Sequence, residues 1–147
     1  MEKTIQPACG NFGLLIANIK NKMRKRMNDK LKPYDITPEQ RAILLILGDK
    51  GSMTQMQLCE LTSMEPSNLS MTLKRLENKK YIEKTDHPED PRAYLVRVTE
   101  KAEDIIVELA ALSITARENL FEGIDERDLH TMCEALKKID KNLKGLL

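Results

Sequence analysis

The stretch TQMQLCELTSMEPSNLSMTLKRLENKKYIEKTDHPEDPRAYLVRVT, residues 54–99, decides the fold. Two short helical patterns are followed by a charged hairpin, which is the order of a winged helix-turn-helix. The second helix opens with Pro66, Ser67 and Asn68 and carries Ser70, Thr72, Lys74 and Arg75. It offers hydroxyls, an amide and cations but no cluster of acids or bases suited to catalysis, so it fits contact with DNA. Leu69, Leu73 and Leu76 recur at spacings of four and three and draw its inward stripe. The hairpin pairs a strand over residues 81–85 with one over residues 93–98. Its tip is Asp86, His87, Pro88, Glu89, Asp90, Pro91 and Arg92, where two prolines stop the strands and hold Arg92 outward.

Upstream, Thr37, Pro38 and Gln40 combine an N-cap hydroxyl, a proline at the first helical position and a glutamine that completes a capping box. Residues 42–47 are apolar on every face, which predicts a helix enclosed by its neighbours until Gly48 and Gly51 end it. Thr54 with Gln57 repeats the capping box and starts the first helix of the DNA-binding pair, with Met56, Leu58, Cys59 and Leu61 as expected buried positions. Earlier still, Phe12, Ile16, Ile19, Met23 and Met27 form one stripe of a helix that ends before Pro33. Lys20, Lys22, Arg24, Lys25 and Arg26 occupy its other faces, where a solvated cationic surface is the expectation.

Downstream, Thr99 caps a long helix through residue 123. Glu100, Glu103 and Asp104 favour its dipole, and Ile105, Ile106, Leu109, Leu112 and Leu120 are available for packing. Asp125 caps the last helix, in which Leu129, Met132, Leu136, Ile139, Leu143 and Leu146 alternate spacings of three and four. That seam is coiled-coil-like and calls for a partner chain, so a homodimer is expected.

Composition narrows the class. With two Phe, three Tyr, no Trp and eight Met in 147 residues, the core is built from aliphatic side chains and methionine. One domain, or one domain with an oligomerisation element, is the expectation. Net charge is only +1 but unevenly placed: residues 11–32 carry seven Lys or Arg against one Asp, and residues 100–147 carry seven basic against eleven acidic residues. Cys9, Cys59 and Cys133 have no short metal spacing and are odd in number, which favours a reducing cytoplasm over a disulfide framework. No apolar run approaches the ~18 residues of a membrane span, so no membrane partner is expected.

The ordered set of Thr37 with Gln40, the helix-turn-helix, LKRLENKKYI and the wing DPRAYLVRVT resembles the MarR family of transcription regulators. The resemblance covers nearly the whole chain and is most specific at Asp90-x-Arg92 followed by a strand ending at Thr99. It implies a mainly α fold, a winged helix-turn-helix with a two-stranded β wing and N- and C-terminal dimerisation helices. The corresponding limits are 1–32 and 124–147 for dimerisation, 33–99 for DNA binding and 100–123 for the linking helix. It further implies a ligand-responsive repressor that binds pseudo-palindromic double-stranded DNA as a homodimer. No cofactor is implied, but a small aromatic or anionic effector is, in a cleft walled by the first helix, the helix over residues 42–47 and the start of the helix after Thr99.

Carried over by position, Ser67, Asn68, Ser70, Met71 and Lys74 face DNA and Arg75 lies near phosphate. Asp90 steadies the wing while Arg92 enters the minor groove. Two positions depart from the family pattern. Lys80 stands where glycine is usual, so the turn either avoids positive φ or Lys80 adopts it at a cost. Met71 stands where a basic residue is common and lacks the bidentate contact that Arg makes to guanine.

Other functions are weaker. Cys9 lies near the start of the first helix, as the reactive thiol does in the peroxide-sensing branch of the family, but about one turn too early and with only Lys3 as a nearby cation. His130, Cys133 and Glu134 share a helix face with ligand-like spacing, yet Met132 and Leu136 in the same turns favour packing beside solvated charge. No GxGxxG, P-loop, GxSxG or HExxH pattern is present, so an enzyme is not expected. A winged-helix module that binds protein instead of DNA is opposed by Arg92 at the hairpin tip and by the polar opening of the second helix.

Overall fold

The computed structural model describes residues 10–144, so Cys9 and Leu146 lie outside the described residues. In chain order the elements are α1 (Phe12–Leu31), a 3₁₀ turn (Lys32–Tyr34), α2 (Pro38–Lys50), α3 (Gln55–Thr62) and α4 (Pro66–Asn78). They continue with β1 (Ile82–Asp86), β2 (Tyr94–Val98), α5 (Glu100–Ala116) and α6 (Glu126–Lys144). The chain divides into two compact units, one up to Ala116 and one from Arg117 onward.

Both capping boxes form. Thr37 Oγ1 accepts from the Gln40 amide at 3.1 Å while Gln40 Oε1 accepts from the Thr37 amide at 3.2 Å. Thr54 and Gln57 repeat the exchange at 3.2 and 2.9 Å. Each box satisfies two of the amides that a helix start leaves without partners.

In the first unit α2 lies at the centre of the core. Ile43, Leu44 and Leu47 are buried together with Leu31, Ile36, Leu58, Leu69, Leu73, Leu76, Ile82, Val96, Ala102 and Leu109. Gly48 does not end α2, which runs on to Lys50 and is capped by Gly51 at φ 82°. The glycine serves packing instead: a Cβ there would lie 3.1 Å from Ile106 Cδ1 of α5. The expected burial in α3 holds for Leu58 and in part for Cys59, but Met56 is 73% and Leu61 49% exposed. An eight-residue helix turns one stripe to the core, and these two side chains fall outside it.

The wing strands pair antiparallel from Ile82 with Val98 to Asp86 with Tyr94, one residue later in β1 than the expected span of 81–85. Tyr81 belongs to the turn instead, its amide bonded to Leu76 O at 3.0 Å. A lone two-stranded ribbon is marginal in water. Here Met53 adds a bridge to Val96, with amide–carbonyl distances of 3.0 and 2.8 Å, and ties the hairpin to the α2–α3 connection. Lys80 adopts φ 64°, which settles the glycine question: the left-handed turn is kept and a lysine occupies it.

α5 stops at Ala116 rather than continuing to residue 123. Arg26 Nη1 donates to Ala116 O at 3.1 Å, and the Leu120 amide bonds to Arg117 O at 2.9 Å. Asn119 and Gly123 take positive φ, so residues 117–123 form turns, and Leu120 lies in them instead of in a helix. In the second unit Asp125 Oδ1 caps α6 by accepting the Asp128 amide at 2.8 Å. Its Met132, Leu136, Ile139 and Leu143 form an exposed apolar stripe.

Because an L-residue in the left-handed region costs about 1–2 kcal/mol and glycine loses about 0.5–1 kcal/mol of chain entropy, Lys80→Gly is expected to stabilise the fold. The denaturant midpoint is expected to rise by the equivalent of about 0.5–1 kcal/mol. A lower midpoint contradicts this reading of the turn.

Candidate nucleic-acid interface

α4 owes its outward face to its inward one. With Leu69, Leu73 and Leu76 buried at 0–2% exposure, the 100° step of the helix turns Ser67, Met71 and Lys74 directly away from the core. Asn78 continues that line and is exposed, although its position was not singled out from the sequence. Asn68, Ser70 and Arg75 flank it and are exposed too. Thr72 instead turns its hydroxyl back to Asn68 O at 2.7 Å. The start of α4 is set by the preceding turn: Ser63 caps α3 at φ 56°, Glu65 is the N-cap of α4 and Pro66 occupies its first turn.

At the tip of the wing, backbone amides are taken up by side chains. His87 Nδ1 accepts from the amides of Glu89 and Asp90, both at 3.1 Å, and Asp90 Oδ1 accepts from the Arg92 amide at 2.9 Å. The Ala93 amide closes the turn on Asp90 O at 3.2 Å. Asp90 therefore holds the backbone that carries Arg92, while the Arg92 side chain is exposed. In the sequence His87 stands out only as part of the hairpin tip. Its place two and three residues before the amides it binds is the signal that marks a local cap. Tyr94 fastens the wing to α3 through a 3.0 Å bond from its hydroxyl to Gln55 Oε1.

Charge pairing separates two sets of cations. Arg24 is paired with Glu39, Lys84 with Glu77 and Arg97 with Glu83. Lys74, Arg75 and Arg92 have no acidic partner among the described residues and face solvent on α4 and the wing. Unpaired, hydrated cations are the groups that phosphate neutralises at least desolvation cost.

A second set of polar contacts joins α2 and the 3₁₀ turn to α5. Arg41 of α2 donates from Nε to Leu109 O at 2.9 Å and from Nη2 to Ser113 Oγ, both on α5. Burial lowers the pKa of its guanidinium below the ordinary arginine value, and no carboxylate pairs with it among the described residues. Tyr34 donates its hydroxyl to Glu108 of α5 at 2.9 Å, and that bond raises its pKa above the usual tyrosine value. His130 and Cys133 are exposed on α6, and the Glu134 carboxylate is held by Lys137 at 3.0 Å.

A helix seated by three leucines behind a short turn, followed by a side-chain-capped wing, defines the winged helix-turn-helix class of transcription regulators. Residues 34–93 match the profile described as MarR family. Solved structures agree over most of the chain. The reduced form of MarR from E. coli is 27% identical with a TM-score of 0.75, covering 93% of this chain and 98% of that one. The S. aureus MepR–DNA complex is 22% identical with a TM-score of 0.83, covering 90% and 98%. Bordetella bronchiseptica BpsR, whose DNA binding is regulated by 6-hydroxynicotinic acid, is 17% identical with a TM-score of 0.82, covering 91% and 96%. The chain is thus similar to the MarR family in sequence over residues 34–93 and in fold over most of its length. No described helix is long and apolar enough to cross a membrane.

On the expectation that Arg92 meets the minor groove through a charge-assisted contact of about 1.5–3 kcal/mol, Arg92→Ala is expected to weaken duplex binding about ten- to hundredfold with the fold intact. Asp90→Ala and His87→Ala are expected to weaken it less, in the same direction. Titration of labelled duplex, with circular dichroism as the fold control, checks this. Wild-type affinity in all three variants removes the wing from DNA binding.

Proposed function

We propose that this chain is a sequence-specific, ligand-responsive repressor that binds pseudo-palindromic duplex DNA as a homodimer in the cytoplasm. The observation that carries the reading is the outward line of Ser67, Met71 and Lys74 on a helix whose rotation is fixed by buried leucines, beside a capped wing bearing Arg92. In this reading Ser67, Asn68, Ser70, Met71 and Lys74 face the major groove, Arg75 meets phosphate, and Arg92 enters the minor groove on the turn that Asp90 holds. The MepR–DNA complex supports it by likeness of fold. Met71 meets bases through apolar contact, so thymine methyl groups rather than guanine edges are its favoured partners.

Residues 33–99 are the DNA-binding part, 1–32 and 124–147 the dimerisation part, and 100–123 the link. Ile16, Ile19 and Met23 on α1, and Met132, Leu136, Ile139 and Leu143 on α6, are exposed large apolar side chains. A second copy of the chain is the cover that both stripes call for. Leu136→Lys combined with Ile139→Lys is expected to give monomers or unfolded chain in sedimentation. An unchanged dimer mass contradicts that interface.

The effector is a small aromatic or anionic molecule held between α1, α2 and the start of α5. Arg41 of α2 supports an anion further along α5, beside Leu109 and Ser113, since a partly buried guanidinium bonded only to a carbonyl and a hydroxyl gains a charge partner from a carboxylate. BpsR, which answers to an aromatic acid, is consistent with that chemistry. Two reading helices in one dimer must match major grooves about 34 Å apart, so a modest rotation of each lobe breaks the register. A ligand that prefers the rotated state tenfold to a hundredfold supplies about 1.4–2.8 kcal/mol of coupling.

Selection of bound sequences from a random duplex pool tests the function directly. Enrichment of a pseudo-palindrome with strongly salt-dependent affinity is the expected result. A chain that enriches nothing, or binds equally at high salt, is not a sequence-specific DNA regulator.

A further inference from the structure

The lysine that closes α4 is turned away from its outward face. The Lys79 ammonium donates to Asp35 O and, at 3.2 Å, to Gln40 Oε1, and it lies 3.8 Å from the Asp35 carboxylate. That carboxylate is 98% exposed, so the ion pair contributes little, and the two hydrogen bonds carry the attachment. Gln40 is 3% exposed and is the same residue whose Oε1 completes the capping box of α2. One buried amide oxygen thus fixes the start of α2 and receives the end of α4.

The other side of the same junction is held by α5. Lys101 Nζ donates to Lys79 O at 2.7 Å and sits 4.6 Å over the Tyr81 ring, and Thr99 Oγ1 donates to Lys80 O at 2.7 Å. The two carbonyls that follow α4 therefore find donors at the start of α5 and on the residue before it, while the Lys79 side chain reaches the entry to α2. α4 has 13 residues and is about 20 Å long, so a tilt of about 10° at this end moves its far end by about 3 Å. That displacement exceeds the tolerance of a hydrogen bond to a base edge.

We propose that Lys79 is a positioning residue for DNA reading: its ammonium fastens the C-terminal end of α4 to the α2 cap and so sets the angle at which Ser67, Met71 and Lys74 are presented. The inference rests on the proposed DNA-binding function of α4. Lys79 touches no nucleic acid in this role, which separates it from Lys74 and Arg75 on the same helix. Gln40 Oε1 retains its bond from the Thr37 amide when Lys79 is replaced, so the substitution leaves no buried acceptor without a partner.

The test uses the full chain and the duplex it selects. Lys79→Met, which keeps the aliphatic stem, is expected to lower affinity about tenfold, the loss of about one charge-assisted bond. The slope of log affinity against log salt is expected to stay at the wild-type value. Lys74→Ala is expected to reduce that slope by about one unit, as loss of a phosphate contact does. Lys79→Arg is expected to recover most of the affinity, and helical circular dichroism is expected to be unchanged in all variants. A reduced slope in Lys79→Met makes it a phosphate contact and overturns the inference. So do unchanged affinity, an unfolded variant, or a Lys79→Arg chain as weak as Lys79→Met. A wild-type chain that binds no duplex overturns the DNA-binding reading as well, so the two failures are distinct.

Discussion

The seating of Leu69, Leu73 and Leu76 in the core is the constraint on which the rest depends. All three are at most 2% exposed, and they share that core with Leu44, Leu58 and Ile82. Truncating a buried leucine costs about 2–5 kcal/mol, and the whole stability of a domain is about 5–15 kcal/mol. Rotating α4 by even one residue would expose part of this stripe, so no surface interaction of ~1 kcal/mol can compete with it. The face opposite is consequently fixed in direction while its chemistry is free. That freedom lets Met71 stand on the outward face without disturbing the fold.

Around that helix, polar contacts do what apolar packing cannot. The wing is too small to have a core of its own, and its tip is ordered by His87 and Asp90 taking up backbone amides and by the Met53 bridge at its base. The junction of α4, β1 and α5 is ordered by Thr99 and Lys101 on the carbonyls of Lys79 and Lys80. Arg41 links α2 to α5 across the region where an effector is proposed. The α5 that Arg41 holds also bonds, through Lys101, the carbonyl of Lys79 that caps α4.

What the sequence made legible was local. Thr37 with Gln40 and Thr54 with Gln57 act over three residues, and both boxes form as read. The 3.6-residue period placed the leucines of α4, and Asp90-x-Arg92 marked the wing. Features that depend on distant partners were not legible. The Met53 bridge joins residues far apart in the chain, and α5 ends at Ala116 with Arg26 bound to that carbonyl. Met56 and Leu61 are apolar, but the stripe that α3 turns inward is decided by what α3 packs against. The attachment of Lys79 was likewise hidden, since its acceptors lie some forty residues upstream. Of the candidate site, the exposed face of α4 was legible, and the role of His87 within the wing tip was not.

Hydroxyl-radical footprinting of the chain on its selected duplex tests the central claim most directly, because it reports where both grooves are occupied. Two protected segments about one helical turn, 10–10.5 base pairs, apart are expected, flanked symmetrically by minor-groove protection from the two wings. One protected segment, or uniform protection without periodicity, would contradict it.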